Sequence, residues 1–288
     1  MNHKEYFKPN NTQELGQLVK EFGSKVTFIA GGTDLIPQMR DEVKSPEVFI
    51  DISEIDELLS IVEEDDVISI GAATKISEVT SSFILITHCP ILVSAAEQLG
   101  NILTRNRATI GGNIANASPC SDTAPPLLTL NASLVIRDIK GEVKTQSIND
   151  FFLSYKKTAL QQGELITQIL IPKKSEKQCG SFVKIGQRNS AAISVVSMAM
   201  MLDMDSGHCR QAKIAMGGMA PIPIRALKTE QLLKNNTINE ALIESSAHHL
   251  AQEFLPISDI RGSEEYRRHL TAVLFKRSIN NSLKQQGE

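Results

Sequence analysis

The stretch Thr109-Ile110-Gly111-Gly112-Asn113-Ile114-Ala115-Asn116-Ala117-Ser118-Pro119-Cys120-Ser121-Asp122 constrains this chain more than any other. It places two adjacent glycines, two asparagines, three hydroxyl side chains and one carboxylate in one predicted loop. A Gly-Gly pair lets the backbone take positive φ and approach a ligand with no Cβ in between. Successive N–H groups in such a turn form a concave donor surface for phosphate oxygens. The amides and hydroxyls add neutral donors and acceptors, and Asp122 suits a sugar hydroxyl. With no strong base or nucleophile, the stretch reads as a ligand cradle. A second pair, in Gly31-Gly32-Thr33-Asp34, follows the apolar run Val26-Thr27-Phe28-Ile29-Ala30. Two such cradles, one at the end of an evident strand, imply a long ligand with phosphates near its middle.

The chain is long enough, at 288 residues, for two domains or one large one. Its net charge of -3 gives no electrostatic case for nucleic acid or an anionic membrane surface. No apolar run approaches a membrane span, and Met1–Tyr6 lacks the apolar core of a signal peptide. Cys89, Cys120, Cys179 and Cys209 stand far apart without a C-x-x-C, so zinc and iron–sulfur ligation are not suggested. Four reduced thiols in a cytoplasmic protein are the expectation.

Taken in order, Asn11-Thr12-Gln13-Glu14 forms a predicted capping box, with Glu14 reaching back to the Asn11 N–H. Leu15, Leu18, Val19 and Phe22 recur at helical spacing, and Gly23 closes the helix. Strand Val26–Ala30 leads into the first glycine pair, and a short helix begins near Asp34, limited by Pro37. The strand-first G-x-G-x-x-G of a Rossmann fold occurs nowhere. Further strands are predicted at Val48–Ile52, Ile61–Glu63, Val67–Gly71, Ala132–Arg137, Glu142–Thr145 and Leu165–Ile171, with helices at Ala73–Phe83 and Pro90–Leu99. Pro125-Pro126-Leu127-Leu128 suits the first turn of a helix capped by Ser121, Asp122 or Thr123. A polar linker, residues 173–178, marks a domain boundary. Beyond it come strands Ser181–Ile185, Ile193–Asp203 and Cys209–Met216, then helices Arg225–Lys234, Ile238–Phe254 and Glu264–Leu283. The fold class is α+β throughout.

The two glycine motifs carry a resemblance. Ala30-Gly31-Gly32-Thr33-Asp34-Leu35, and Arg105-Asn106 followed by Ala108-Thr109-Ile110-Gly111-Gly112-Asn113, resemble the FAD-binding signatures of the flavoprotein subunits of molybdenum hydroxylases. That family includes the medium subunit of carbon monoxide dehydrogenase and the FAD subunits of xanthine and nicotinate dehydrogenases. Motif order and spacing fit over nearly the whole chain, with Ser118-Pro119 and Ser121-Asp122 trailing the second turn. The resemblance implies an FAD-binding domain of the PCMH type over residues 1–176. It implies a CO-dehydrogenase-flavoprotein-like domain, with a three-stranded antiparallel sheet and helices, over residues 177–288.

By the same resemblance, Gly31, Gly32, Thr33 and Asp34, flanked by Ile29, Ala30 and Leu35, present backbone donors to the FAD pyrophosphate. Thr109, Ile110, Gly111, Gly112, Asn113 and Asn116 embrace the pyrophosphate and ribityl region from the other side. Ser121 and Asp122 meet the adenosine half, Ile166 is an apolar wall for adenine, Lys184 is a polar contact, and Ile193 lies against the flavin. Leu99 stands where the xanthine-type enzymes carry an aromatic residue, which removes ring stacking there. Expected partners are a small subunit with two [2Fe–2S] clusters and a large molybdopterin subunit, in a dimer of heterotrimers, with NAD as a possible acceptor. No catalytic residue and no metal ligand is expected on this chain.

Plainer readings stand beside these. Gly31-Gly32 also suits a strand-ending turn, Asp122 a helix cap, Lys184 a solvated position, and Arg105 and Arg107 a surface or interface ion pair. Ile193 reads as core either way. His248-His249, adjacent on a helix, do not share a face and do not read as a metal site. Met198, Met200, Met201 and Met204 read as adaptable packing of a buried strand. A stand-alone flavin oxidoreductase, or an adaptor that has lost the flavin, would use the same fold.

Overall fold

The computed structural model describes residues 4–173, 178–188 and 191–284, so the predicted boundary between residues 176 and 177 lies outside the described residues. Strands β1 (Glu5–Phe7), β2 (Val26–Ile29) and β3 (Val48–Asp51) form a parallel sheet in the order β1-β3-β2. Parallel neighbours need crossovers, which α1 (Thr12–Phe22) and α2 (Leu35–Arg40) supply. Leu15 and Val19 of α1 pack on Val26, Val48 and Ile50. Asn11 caps α1 as expected, accepting from the N–H groups of Gln13 and Glu14. The Glu14 carboxylate reaches the Asn10 N–H at 2.8 Å rather than that of Asn11. Gly23 ends the helix at a φ of 54°.

A five-stranded antiparallel sheet follows, from β4 (Ile61–Glu63), β5 (Val67–Gly71), β6 (Ser133–Arg137) and β7 (Val143–Ser147), then, past the small hairpin β8 (Phe152–Ser154) and β9 (Lys157–Thr158), β10 (Leu165–Pro172). Its order is β4-β5-β10-β6-β7. The helix expected over 73–83 is α3 (Ile76–Ser81). The extended Ser82 breaks it and caps α4 (Phe83–His88) through a hydrogen bond from the Leu85 N–H. Then come α5 (Pro90–Glu97), α6 (Ile102–Arg105), α7 (Ile110–Ala115) and α8 (Ala124–Thr129). Ile68, Ile70, Leu134, Ile136 and Ile169 of the sheet share one core with Leu92, Ile110, Ile114 and Leu127 of these helices.

The C-terminal part has the three expected long antiparallel strands, β11 (Gln178–Gly186), β12 (Ser194–Asp205) and β13 (His208–Gly217). Two-residue strands β14 (Ile224–Arg225) and β15 (Asn236–Thr237) extend it beside β13. Helices α9 (Leu227–Leu233), α10 (Glu240–Glu253) and α11 (Glu264–Lys284) pack with it. The methionine run now has its physical reason. Met198, Met200 and Met204 of β12 face the C-terminal core, while Ala199 and Met201 face the core of the preceding domain. A strand buried on both faces reads as a continuous apolar run. Among the described residues no helix is long and apolar enough to cross a membrane.

A buried ion pair crosses this joint. Lys184 on β11 donates to Asp122 Oδ2 and to the Gln98 carbonyl, each at 2.7 Å, and Ser194 Oγ donates to Asp122 Oδ1 at 2.6 Å. The side chains of Lys184 and Asp122 are only 10% and 7% exposed. Removing one partner strands the other charge away from water, so Lys184→Met should cost about 3–5 kcal/mol. The double variant Lys184→Met with Asp122→Leu should cost less than the single one. Denaturant unfolding reads both, and a Lys184→Met protein of wild-type stability would remove the pair as the tie between the domains.

Candidate functional site

The two glycine turns meet through their backbones. A Cβ built on Gly31 would lie 2.0 Å from the Arg107 carbonyl oxygen, and one on Gly111 would lie 2.6 Å from the Ala72 Cβ and 2.7 Å from its carbonyl oxygen. Gly32 has a φ of 68°, the left-handed conformation that glycine takes at no steric cost. The second turn differs from expectation here. Gly111 and Gly112 have no positive φ and sit in the first turn of α7, capped by Thr109 Oγ1, which accepts from the Gly112 N–H at 3.2 Å. Gly111 is needed there for close approach to Ala72, not for a left-handed turn.

The turns also divide the donor work. The N–H groups of Ile110, Gly111 and Asn113 are spent on the carbonyls of Thr74, Ala72 and Thr109. Among the described residues, those of Gly32, Thr33, Asp34 and Leu35 have no protein acceptor. The first turn therefore holds the free backbone donors. From the second, Asn113 contributes its side chain. Its Oδ1 accepts from Ser121 Oγ and Thr123 Oγ1, both at 2.6 Å, which leaves the amide nitrogen for the cavity it lines.

Three cavities join end to end at these turns. The middle one, of about 240 Å³, is walled by residues 27–35 on one side and by Ala108, Thr109, Gly112, Asn113, Ala115 and Asn116 on the other, and Lys44 adds its one cation among the described residues. Through Phe28, Ala30, Thr109, Gly112 and Ala115 it continues into a cavity of about 210 Å³ lined by Ile52, Leu160, Leu165 and Ile166. There Glu164 accepts from Lys144 Nζ at 2.5 Å and from the Gln161 N–H at 2.9 Å. Through Asp34 and Asn116 the middle cavity continues the other way into a larger one, of about 630 Å³, between the two domains. Its walls include Ser118, Cys120, Tyr155 and Lys156 from the first domain, and Ile193, Asp259, Arg261 and Arg267 from the second.

The large cavity is the most highly charged. Asp259 accepts from Arg261 Nε at 3.0 Å and Nη2 at 2.5 Å, and from Arg267 Nη2 at 2.7 Å. Arg267, 1% exposed, also donates to the carbonyls of Val195 and Gly218. Arg261 Nη1 donates to Cys120 Sγ at 2.9 Å. Burial pushes the Cys120 thiol up, against the pull of the Arg261 guanidinium. Burial also pushes the Asp122 carboxyl up, and the Lys184 ammonium works against that. For Asp259, partial burial is outweighed by the hydrogen bonds from Arg261 and the charge of Arg267, which hold its carboxyl at about 2.

Of the predicted site residues, Ile29, Ala30, Gly31, Gly32, Thr33, Asp34, Leu35, Thr109, Gly111, Gly112, Asn113, Asn116, Ile166 and Ile193 line these cavities. Leu99 and Ile110 instead belong to the apolar core. Ser121 orients Asn113 and accepts from the Ala124 N–H, and Asp122 and Lys184 are engaged with each other. Ile193 departs from its reading as core, since it is 64% exposed at the cavity mouth. Lys44, Cys120, Glu164, Arg261 and Arg267 were not anticipated. Lys44, Glu164, Arg261 and Arg267 belong to neither glycine stretch, and Cys120, although inside the second, was read only as a reduced thiol, so the motifs gave no signal for them.

The depressed Asp259 carboxyl sets a pH dependence. Its contribution to stability is complete above the ordinary carboxylate range near 4 and is lost as pH falls through about 2. The difference in melting temperature between the wild type and Asp259→Asn should stay flat from pH 8 to about 5 and close toward pH 2. A difference that closes between pH 7 and pH 5 would contradict the clamp.

A family described as the FAD binding domain in molybdopterin dehydrogenase matches residues 2–174, and the CO dehydrogenase flavoprotein C-terminal domain matches residues 181–282. The medium chain of glyceraldehyde dehydrogenase from Sulfolobus acidocaldarius is 31% identical over 87% of this chain and 88% of its own. The xanthine dehydrogenase FAD-binding subunit of Escherichia coli O157:H7 is 31% identical over 90% of this chain and 89% of its own. Among solved structures, a carbon monoxide dehydrogenase from Hydrogenophaga pseudoflava superposes with a TM-score of 0.93 at 28% identity, covering 98% of both chains. Quinoline 2-oxidoreductase from Pseudomonas putida 86 gives a TM-score of 0.92 at 26% identity, covering 98% of this chain and 97% of its own. Two facing glycine turns between linked cavities, on a chain matched along both domains, make this protein a member of the FAD-binding flavoprotein subunits of the molybdenum hydroxylase family.

Proposed function

We propose that this chain carries FAD through the three linked cavities and is the electron-transfer subunit of a molybdenum-dependent dehydrogenase. In the complex, a small partner with two [2Fe–2S] clusters relays electrons from a large molybdopterin subunit, where substrate is oxidised. NAD or another acceptor takes them from this chain, and the assembly is a dimer of heterotrimers. The observation that carries the reading is the threading of the cavities through the two turns. A small apolar chamber, a donor-rich neck and a large chamber match the adenine, pyrophosphate and isoalloxazine of FAD in size and polarity.

The residues fit that cofactor one by one. In the neck, the free N–H groups of residues 32–35 and the Lys44 ammonium face where a pyrophosphate would lie. Asn113 adds a neutral donor, and the missing side chain of Gly112 keeps the neck open. Ile52, Leu165 and Ile166 would wall the adenine, and Ile193 with Cys120 and Arg261 would border the ring system. Bound FAD supplies an exchange of electrons singly or in pairs, and the protein sets its position and electrostatics.

Absorption spectroscopy and chromatography of released cofactor test this on the chain purified alone and with its partner subunits. FAD is expected in both samples, with iron–sulfur clusters and molybdopterin only in the second. No FAD in either, even after reconstitution, would sink the proposal, and turnover of a small substrate by the lone chain would replace it with a stand-alone oxidoreductase.

Gly112→Val is the sharpest variant. A Cβ there comes 2.8 Å from the Thr109 hydroxyl, so that side chain must give way at the α7 cap, a local cost, while the new side chain fills the neck. Retained melting temperature to within a few degrees, with FAD lost, is the expected result. Lys44→Ala should weaken FAD binding about fivefold at low ionic strength, and less as salt rises. Titration of the apo-protein with FAD at two salt concentrations measures it.

A further inference from the structure

The large cavity carries an uneven charge. Its lining holds three cations, Lys156, Arg261 and Arg267, against two carboxylates, Asp34 and Asp259. Asp34 lies at the far end, where this cavity joins the neck. Near Cys120, therefore, two guanidiniums share the single carboxylate of Asp259. Arg267 is the more demanding of the two. It is 1% exposed and takes Asp259 Oδ1 at 2.7 Å, while Arg261 takes Oδ2 through Nε and Nη2, so one carboxylate answers two guanidiniums. The second guanidinium, Arg261, is 27% exposed, and its free end faces a neutral partner. Burial holds that partner, the Cys120 thiol, in its protonated form. A fixed positive charge is thus left over on the cavity wall.

The geometry also makes this charge immobile. The Arg261 N–H and side chain both close on Asp259, and Asp259 and Gly262 exchange backbone hydrogen bonds in a tight turn. Gln187 Nε2 further donates to the Ile260 carbonyl at 3.1 Å, tying that turn to the end of β11. A charge held this way needs no reorganisation when a negative charge develops beside it.

We infer that Arg261, fixed by Asp259 and Cys120, raises the reduction potential of the flavin by stabilising the negative charge of its reduced ring. Two electrons with one proton leave that ring a monoanion, whereas the oxidised ring is neutral, so the guanidinium favours the reduced form. Arg261 acts here as a charge-setting residue and takes no part in covalent chemistry. The inference rests on the FAD reading above.

The test uses the full chain loaded with FAD and two readouts. One is the midpoint potential by equilibration with reference dyes. The other is the affinity for sulfite, which adds its lone pair to the oxidised ring and leaves it a monoanion without a leaving group. Arg261→Gln should weaken sulfite binding about tenfold, equivalent to a midpoint about 30 mV lower for a two-electron couple. Arg261→Lys should stay close to the wild type. Lys156→Gln, on an exposed turn where folding is not at stake, should shift both readouts the same way by a smaller factor. Both readouts are taken on the FAD-loaded fraction of each variant, so a change in FAD content does not enter them. Potentials and sulfite affinities that ignore the charge at residues 261 and 156 would overturn the inference while leaving the FAD site intact. A wild-type chain that takes up no FAD would overturn both.

Discussion

The contact between Gly31 and the Arg107–Ala108 backbone is the point on which the rest of this structure depends. The first turn hangs from a parallel sheet and the second from the helices around an antiparallel one, and nothing local in sequence brings them together. Main chain meets main chain there at a distance that no Cβ allows. The Ile76 N–H donates to the Ala108 carbonyl at 2.8 Å, and the Ile110 N–H to the Thr74 carbonyl at 3.0 Å, which holds the second turn against the loop after β5. The neck between the cavities is the space these contacts leave. One turn spends its N–H groups on building the neck, and the other keeps them for what passes through it.

The C-terminal domain completes the site from its other end. Among its described residues none lines the neck, but it contributes Ile193, Asp259, Arg261 and Arg267 to the large cavity. That contribution is only as well placed as the joint between the domains. The Lys184–Asp122 pair, with Ser194 on the same carboxylate, pins both ends of the segment that carries Ile193. Apolar packing alone is non-directional. An ion pair with three directed hydrogen bonds around it fixes a register, which is why a buried charge earns its place here despite the cost of desolvating it.

What sequence reasoning could see follows the range of the forces involved. The hairpin of β4 and β5, the α1 cap at Asn11 and the β12 methionine run all declare themselves within a few residues, and they fold as expected. The cavity-lining residues of both glycine motifs were likewise legible, because close backbone approach demands a residue type. The three-residue β1 was not, since it carries no apolar alternation and owes its pairing to β3, over forty positions away. Nor was α7, because adjacent glycines argue against a helix until Ala72 is seen to require the first of them, Gly111. Asp122 and Lys184 carry a resemblance to cofactor contacts, yet each has its charge answered by the other across the domain joint. Arg261 and Cys120, 141 positions apart, meet only in the folded chain.

These long-range pairs separate two properties that a flavoprotein has to set independently. In the proposed reading, retention of the cofactor is a matter for the neck, where free N–H groups and Lys44 would address phosphate charge that does not change with redox state. Redox poise is a matter for the large cavity, where the charge on the ring does change. The first belongs to the parallel-sheet half of the FAD domain, and the second takes Arg261 from the loop before α11, Arg267 from α11 itself and Lys156 from the turn between β8 and β9. Substitutions at Arg261 or its neighbours therefore act on potential without loosening the pyrophosphate. On the proposed reading, the loop over residues 254–263 could then vary the driving force for electron transfer while the two glycine turns stay as they are.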